Sequence, residues 1–323
     1  MNLIADRKLD RKKVWEKINP YVIIIGLVIL AIYAAIIEPQ FLSGRNLQNI
    51  MRQFGALSLT SIGMTFVIIA GYIDLSIVGM FSFVSVFTIS LIPVVGEIPA
   101  MLLGILLGMI LGFIDGVVLS IVGAKNDADA VFVTFGMSTF YFALALIWSG
   151  GNTIRLPEQS NIVEYIGQGS IFYLPVSFFI FVVFMTVAHI FLMKTKTGLE
   201  IRMVGGNRYA ARLCGISSNK TTILVYTILG LTVAIGSIIA FSRTTTAAPV
   251  VGRGFEMNSI LSVVIGGTRL KGGLGSVLRT FIGVLLVTVM ANALNLIGVS
   301  VYLQSVAKGA ILMLAIWLDY RRK

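Results

Sequence analysis

The sequence predicts an all-α integral membrane protein with about ten transmembrane helices and both termini in the cytoplasm. Of its 323 residues, 57% are hydrophobic and only 12% are charged, and the mean hydropathy is +0.95. Soluble domains are nearer to half apolar and a quarter charged. The apolar residues also form blocks long enough to cross a bilayer, whereas apolar runs in soluble α/β proteins are short and alternate with charged helices.

The apolar blocks follow one another between short polar stretches. The first is ended by Glu38 and Pro39, because proline cannot continue a helix. The eighth is too short to cross alone, so it is either a re-entrant segment or a span that also uses residues 255–258. The predicted spans are 21–37, 54–70, 76–95, 100–122, 131–148, 170–193, 221–242, 259–266, 275–297 and 301–318.

Basic residues divide unevenly between the two sides that these spans define. With residues 1–20 placed in the cytoplasm, the segments on that side carry most of the lysines and arginines, as cytoplasmic loops of membrane proteins do. The opposite side receives only Arg45, Arg52, Arg155, Arg243 and Arg253. The chain is therefore divided into an N-terminal cytoplasmic segment (1–20), a membrane domain (21–318) with a cytoplasmic loop at 194–220, and a cytoplasmic tail (319–323).

Composition and motifs argue against several classes of function. The net charge of +11 follows the topology and lacks the aromatic interleaving of a nucleic-acid groove, so no nucleic-acid partner is expected. Neither a P-loop nor an H-E-x-x-H or G-x-S-x-G motif occurs. Cys214 is the only cysteine and His189 the only histidine. We therefore expect neither an enzyme nor a metal site, and no cofactor in this chain.

The longest polar stretch, residues 194–220, reads KTKTGLEIRMVGGNRYAARLCGISSNK. Its middle predicts a short capped helix. Asn207 suits the N-cap, residues 208–214 provide about two turns, and Gly215 suits the C′ position. Because this segment is polar and cytoplasmic, we expect a partner outside the membrane to contact it.

Polar side chains inside the apolar blocks are costly and often functional. Asp74 is expected to cap free N–H groups near Ile77. For Asp115, a helix–helix hydrogen bond to a nearby Ser or Thr is favoured over a proton or solute role. Asn292 and Asn295, three residues apart, share one helix face. The candidate pathway residues are Thr65, Tyr72, Asp74, Asp115, Asn292, Asn295 and Gln304.

The amides among these residues suit a polyhydroxylated neutral solute, since they offer hydrogen bonds without charge. For any single residue, a hydrogen bond between helices is at least as good an interpretation. Lys308 falls within the last span and is expected to snorkel or to pair. The glycine-rich segment 266–276 is interpreted as a tight cytoplasmic turn, because it follows no soluble strand and lacks the P-loop lysine.

Three segments resemble the permease subunits of bacterial ribose-type sugar ABC importers: GMTFVIIAGYIDLS (63–76), TGLEIRMVGGNRYAARLCGI (197–216) and GGTRLKGGLGSVL (266–278). The similarity extends in order from about residue 41 to residue 319. It implies a permease dimer, a periplasmic sugar-binding protein, and a cytoplasmic ATPase with two fused nucleotide-binding domains that bind ATP and Mg²⁺. It also implies that a coupling helix docks on this ATPase, formed here by Gly206, Asn207, Arg208, Tyr209, Ala211, Arg212, Leu213 and Gly215.

Arg208 and Arg212 are four residues apart and so on one helix face, which suits acidic or carbonyl partners on the ATPase, with inner-leaflet lipid as the alternative. The sequence departs from the family pattern at four places. Tyr72 and Arg279 stand where the family usually has Gly, and Asp115 stands where it usually has Asn. Residues 129–132 stand where it usually has a Pro-Phe-Ile-type segment. Because of these departures and of the acidic pair at 127 and 129, the transported solute could be a sugar derivative or another small polar molecule. The dimer partner could likewise be a second, non-identical permease.

The sequence thus predicts a bacterial inner-membrane permease that passes a sugar or sugar-like solute by alternating access, driven by a separate ATPase. Two alternatives stay open. One is an ABC permease for branched-chain amino acids or nucleosides, and the other is a proton-coupled secondary transporter.

Overall fold

The computed structural model describes residues 22–123 and 127–321 and is helical over most of that length. Each predicted span coincides with a helix. The helices are α1 (Val22–Ile37), α2 (Gly44–Ile69), α3 (Ile77–Val95), α4 (Glu97–Val122), α5 (Asp127–Ser149), α6 (Asn161–Gln168), α7 (Val176–Lys194), α8 (Lys196–Gly206), α9 (Arg208–Leu213), α10 (Ser218–Thr244), α11 (Phe255–Ile265), α12 (Val277–Leu296) and α13 (Val301–Arg321), with a 3₁₀ helix at Pro39–Leu42.

Two helices begin six or more residues away from their predicted starts. α2 starts at Gly44, ten residues ahead of the predicted span, because the Ser43 hydroxyl accepts a hydrogen bond from the Asn46 N–H and caps the helix there. α7 starts at Val176, later than predicted, because Ser170–Ile171 (β2) and Leu174–Pro175 (β3) form an antiparallel hairpin ahead of it.

Seven of the described helices are long and apolar enough to cross a membrane: α2, α3, α4, α5, α7, α10 and α12. Helix α11 begins at Phe255 and has 11 residues, so it is about 16 Å long, roughly half of a hydrocarbon core. The number of crossings and the side of each terminus stay predictions. The N-terminal segment 1–20, Lys125 and residues 322–323 lie outside the described residues.

The core is built around α2 and α10. Helix α2 is buried from Phe54 to Ile69, because α10, α12, α7 and α11 surround it. Helix α10 also makes the most extensive helix–helix contact of the fold, with α4.

The contact between α4 and α10 depends on glycine. Gly108, Gly112 and Gly116 recur every four residues along one face of α4; on α10, Gly230 lies opposite the first two and Ile223 opposite Gly116. A Cβ atom at Gly112 would overlap the Tyr226 carbonyl oxygen, and one at Gly108 would lie 2.7 Å from the Gly230 oxygen. Close backbone approach through small residues spaced by four is a common way for membrane helices to pack.

Segments that the charge pattern places on the outer side contact one another. Ile154–Arg155 (β1) pairs antiparallel with Thr246–Ala247 (β4). The Glu97 carboxylate accepts a hydrogen bond from the Val163 N–H (2.6 Å) at the start of α6, and Arg52 donates to the Gln168 carbonyl (2.6 Å) at its end. These contacts hold the segment between α5 and α7 against the ends of α2, α4 and α10.

Candidate functional site

The short helix α9 in the predicted cytoplasmic loop is capped at both ends. The Asn207 side chain accepts a hydrogen bond from the Ala210 N–H (3.0 Å), and Gly215 has φ +81°. The N–H groups of Gly215 and Ile216 donate to the carbonyls of Arg212 and Ala211, which completes a Schellman motif. The predicted capped helix is confirmed.

One side of α9 is buried and the other is apolar and exposed. Ala211 is 1% exposed and packs inward, whereas Tyr209 is 74% and Leu213 72% exposed. Tyr209 and Leu213 are four residues apart and therefore share a face. Arg212 is exposed as well, and Gly206 and Asn207 are exposed at the start of the segment. The exposed surface of α9 is thus a tyrosine–leucine pair with a neighbouring arginine.

Arg208, by contrast, contacts the membrane domain. Its guanidinium donates a hydrogen bond to the Gly71 carbonyl (3.1 Å) and lies 4.0 Å from the centroid of the Tyr72 ring, a cation–π geometry. The Tyr72 hydroxyl in turn is hydrogen-bonded to Thr222 of α10 (2.9 Å). Arg208 thus fixes the start of α9 to the segment that follows α2. A contact of Arg208 with the ATPase stays a prediction.

The glycine-rich segment 266–276 is a tight turn, as predicted, and it packs against the same place. The Gly273 N–H donates to the Ile69 carbonyl at the end of α2 (2.8 Å), and Gly272 and Gly273 have φ of +82° and +77°. Gly205 of α8 lies so close that a Cβ atom there would overlap the Ile69 oxygen. The ends of α2 and α8 and this turn form one junction, which we name the inner junction.

The two intramembrane aspartates have partners within the chain. Asp74 accepts hydrogen bonds from the Ser76 hydroxyl (2.9 Å) and the Ile77 N–H (3.1 Å), so its predicted capping role is confirmed. Asp115 is fully buried and accepts a hydrogen bond from the Tyr141 hydroxyl of α5 (2.6 Å). The helix–helix bond expected of Asp115 is present, but its partner is a tyrosine and not a Ser or Thr.

The remaining candidate pathway residues form hydrogen bonds between different pairs of helices. Thr65 is hydrogen-bonded to Thr280 of α12 (2.8 Å). Asn292 forms two hydrogen bonds of 2.9 Å with Asn46 of α2. Asn295 accepts one from Gln304 of α13 (2.7 Å). Tyr72, Asp74 and Asp115 lie near one another around Tyr226, but the structure does not bring all seven candidates together around one path, and their contact with a solute stays a prediction.

A cavity of about 160 Å³ lies where the sequence indicated no site. Its polar lining comes from five helices, with Gln53 on α2, Arg243 on α10, Asn258 on α11, Thr288 on α12 and Lys308 on α13. Phe255 and small aliphatic residues complete the lining. In the sequence only Lys308 stood out, as a cation within a span. The other four polar residues belong to segments that are distant from one another along the chain, so the sequence did not group them.

The amide pair between α2 and α12 gives a test that separates a structural role from contact with a solute. Asn292→Ala is expected to lower stability by about 1–3 kcal/mol, because the buried Asn46 side chain loses both hydrogen bonds to Asn292 and keeps only the one that it donates to the Phe41 carbonyl. The double variant Asn46→Leu with Asn292→Leu should regain part of this loss, since no amide is then left half-paired, although the Phe41 carbonyl loses its donor. Thermal unfolding in detergent measures both. Loss of uptake in Asn292→Ala with unchanged stability would instead indicate a role in the pathway.

Comparison with known proteins identifies the family. The family model described as "Branched-chain amino acid transport system / permease component" matches residues 46–316. The ribose import permease protein of Bacillus subtilis (strain 168) is 34% identical over 310 residues, covering 96% of this chain and 94% of that protein. The ribose import permease protein of Escherichia coli (strain K12) is 31% identical over 302 residues, 93% of each.

The L-arabinose transport system permease protein of Escherichia coli (strain K12) is 31% identical over 312 residues, covering 96% of this chain and 93% of that protein. No solved structure matches the chain. A permease subunit of this kind is a multi-pass inner-membrane protein that works with a separate ATPase and a substrate-binding protein. With relatives matched over nearly their whole length and helices suited to a bilayer, the chain belongs to the family of ABC-importer permeases that includes the ribose import permeases.

Proposed function

We propose that this permease forms the membrane pathway for a sugar or sugar-like solute that a periplasmic binding protein delivers. The observation that carries the proposal is the cavity between α2 and α10–α13. Its volume of about 160 Å³ is many times the roughly 10–15 Å³ that a single water needs, so it has room for a small solute. Its amide, hydroxyl and cationic groups offer hydrogen bonds, and the relatives named above carry ribose and L-arabinose in their names.

The proposed transport cycle is alternating access. The cavity lies in the outer half of the bundle, as the charge pattern defines it, and the inner junction closes the other end of α2. A second permease copy, identical or related, would complete the pathway, and the ATP and Mg²⁺ would be bound by the partner ATPase. Movement of α9 would reach α2 through Arg208, which contacts Gly71 and Tyr72.

Uptake by reconstituted transporter tests this function. Proteoliposomes that contain the permease, its ATPase and its binding protein should accumulate a labelled monosaccharide or derivative only with internal ATP. Accumulation of leucine or of a nucleoside instead would favour the corresponding alternative. Uptake that persists without the ATPase and stops when the proton gradient collapses would overturn the proposal in favour of a secondary transporter.

Docking of α9 on the ATPase leads to a specific prediction about Tyr209 and Leu213. Replacing both with aspartate should abolish ATPase association, because two charged groups would occupy the centre of an apolar contact, where unpaired charges are costly. Co-purification of the ATPase with the permease from membranes measures the effect, and membrane insertion should be unchanged.

The matched control replaces an exposed apolar pair on the opposite side of the protein. Ile162 and Tyr165 are 44% and 51% exposed on α6, and their replacement by aspartate should leave ATPase association intact. Full association of the Tyr209→Asp, Leu213→Asp variant would show that α9 is not the docking surface.

A further inference from the structure

The two cations in the cavity have no acidic partner there. Arg243 lies at the end of α10 and Lys308 in the first half of α13, and both side chains are half-buried. Among the described residues that line the cavity, none is acidic. The charged group that acts on Arg243 is another cation, Arg52.

A half-buried cation without an acidic partner among the described residues is costly within a membrane domain, and Lys308 is the clearer case because Arg243 lies at the end of α10. Intramembrane lysines and arginines usually pair with acidic groups or mark the path of a charged substrate. Lys308 is separated by seven residues from the start of α13, so it is farther into the bundle than a residue at a helix end, where snorkelling is easy. The cost of holding two like charges around one cavity is removed when an anion enters it.

The other polar groups of the cavity are uncharged and suit hydroxyl groups. Gln53 and Asn258 provide amides that both donate and accept hydrogen bonds. The Thr288 hydroxyl is buried and has no hydrogen-bond partner within the described residues. A neutral sugar would satisfy these three groups but would leave Arg243 and Lys308 unpaired.

We propose that the cavity binds a sugar derivative that carries a carboxylate or a phosphate, with the anionic group between Arg243 and Lys308 and the hydroxyl groups at Gln53, Asn258 and Thr288. This inference rests on the proposed function, since it specifies the solute of the same pathway. Arg243 is the better partner for a planar carboxylate or phosphate, because its guanidinium donates two parallel hydrogen bonds, whereas Lys308 acts as a point charge.

The test compares neutral and anionic forms of the same sugar. The permease–ATPase complex is purified in detergent, and its thermal unfolding is measured with ribose, ribonate and ribose 5-phosphate, and with arabinose, arabinonate and arabinose 5-phosphate. A ligand that binds the folded complex raises its melting temperature. At least one anion should bind ten times more tightly than its neutral parent, and the carboxylate and phosphate arms identify which group the cavity prefers.

Charge-neutral variants connect this preference to the cavity. Arg243→Gln and Lys308→Gln should each weaken binding of the preferred anion at least tenfold and weaken binding of the neutral parent by a much smaller factor, because glutamine keeps a hydrogen-bond donor but removes the charge. Arg243→Lys and Lys308→Arg keep the charge and should retain most of the binding, which shows that the neutral variants act through charge. Arg155→Gln, an exposed cation of β1 outside the cavity lining, is the matched control and should have no effect.

The outcomes separate this inference from the function on which it rests. Equal or tighter binding of the neutral sugars, or anion binding that survives both neutral variants, would overturn the anionic class while ATP-driven sugar uptake still supported the proposed function. Absence of stabilisation by all six compounds would also overturn it. Absence of ATP-dependent uptake of any sugar or derivative by the complete transporter would refute the proposed function itself.

Discussion

Replacing Gly112 with leucine is expected to prevent most of the protein from folding correctly in the membrane. A Cβ atom at this position would overlap the Tyr226 carbonyl oxygen and lie 3.0 Å from the Gly230 backbone nitrogen. Both neighbours are backbone atoms of α10, so they cannot rotate away and the two helices must separate. We expect the free energy of unfolding to fall by at least about 3 kcal/mol, which is the upper end of the usual cost of overpacking a core.

The measurement is the yield of monodisperse permease on size-exclusion chromatography after extraction in mild detergent, which should fall at least tenfold. Gly136→Leu is the control, because Gly136 on α5 is exposed and a Cβ atom added there would have no neighbouring atom within 4 Å. The control yield should equal that of the parent. A normal yield for Gly112→Leu would mean that α4 and α10 do not approach as closely as described.

Gly205→Val is expected to stop transport by disrupting the inner junction. The added Cβ would overlap the Ile69 carbonyl oxygen and lie 2.8 Å from the Gly273 nitrogen, two atoms that are hydrogen-bonded to each other. The α8 helix must therefore move away from the end of α2. Because α9 follows α8 directly, the contact of Arg208 with Gly71 should be lost as well.

ATP-dependent uptake in proteoliposomes should fall below about one tenth of the parent value. A tenfold fall corresponds to a rise of about 1.4 kcal/mol in the activation free energy of ATP-coupled transport. ATPase co-purification should be retained, since the exposed face of α9 is unchanged. Gly44→Val, at the other end of α2, serves as the control and should transport normally, because a Cβ atom there would have no neighbouring atom within 4 Å. Normal uptake by Gly205→Val would exclude the inner junction from the transport cycle.

Features that depend on neighbouring residues were predictable from the sequence. The spans follow from runs of apolar residues, and the caps at Asn207, Gly215 and Asp74 follow from side-chain bonds to backbone groups three residues away or from a positive φ. Each of these contacts closes within one turn of chain, so residue type and spacing are sufficient to identify it.

Contacts between distant segments were not predictable in this way. The spacing of Arg208 and Arg212 indicated a common face, yet Arg208 bonds to Gly71, 137 residues away, while Arg212 is exposed. Asn292 and Asn295 share a face, yet one bonds to α2 and the other to α13. The cavity was missed for the same reason, because spacing within a helix does not say which helix lies opposite.

The middle and the end of α2 have different contacts. Halfway along the helix Gln53, Ala56 and Leu57 line the cavity, whereas Ile69 at its end belongs to the inner junction and Gly71, just beyond the end, contacts Arg208. Leu57 and Ile69 are 12 residues apart, about 18 Å, and the helix between them is continuous and contains no proline. If α9 docks on the ATPase and the cavity holds the solute as proposed, a tilt imposed on the end of α2 would displace the wall of the cavity. Communication between the two sites would then require the rotation of one helix and no relay of side-chain rearrangements.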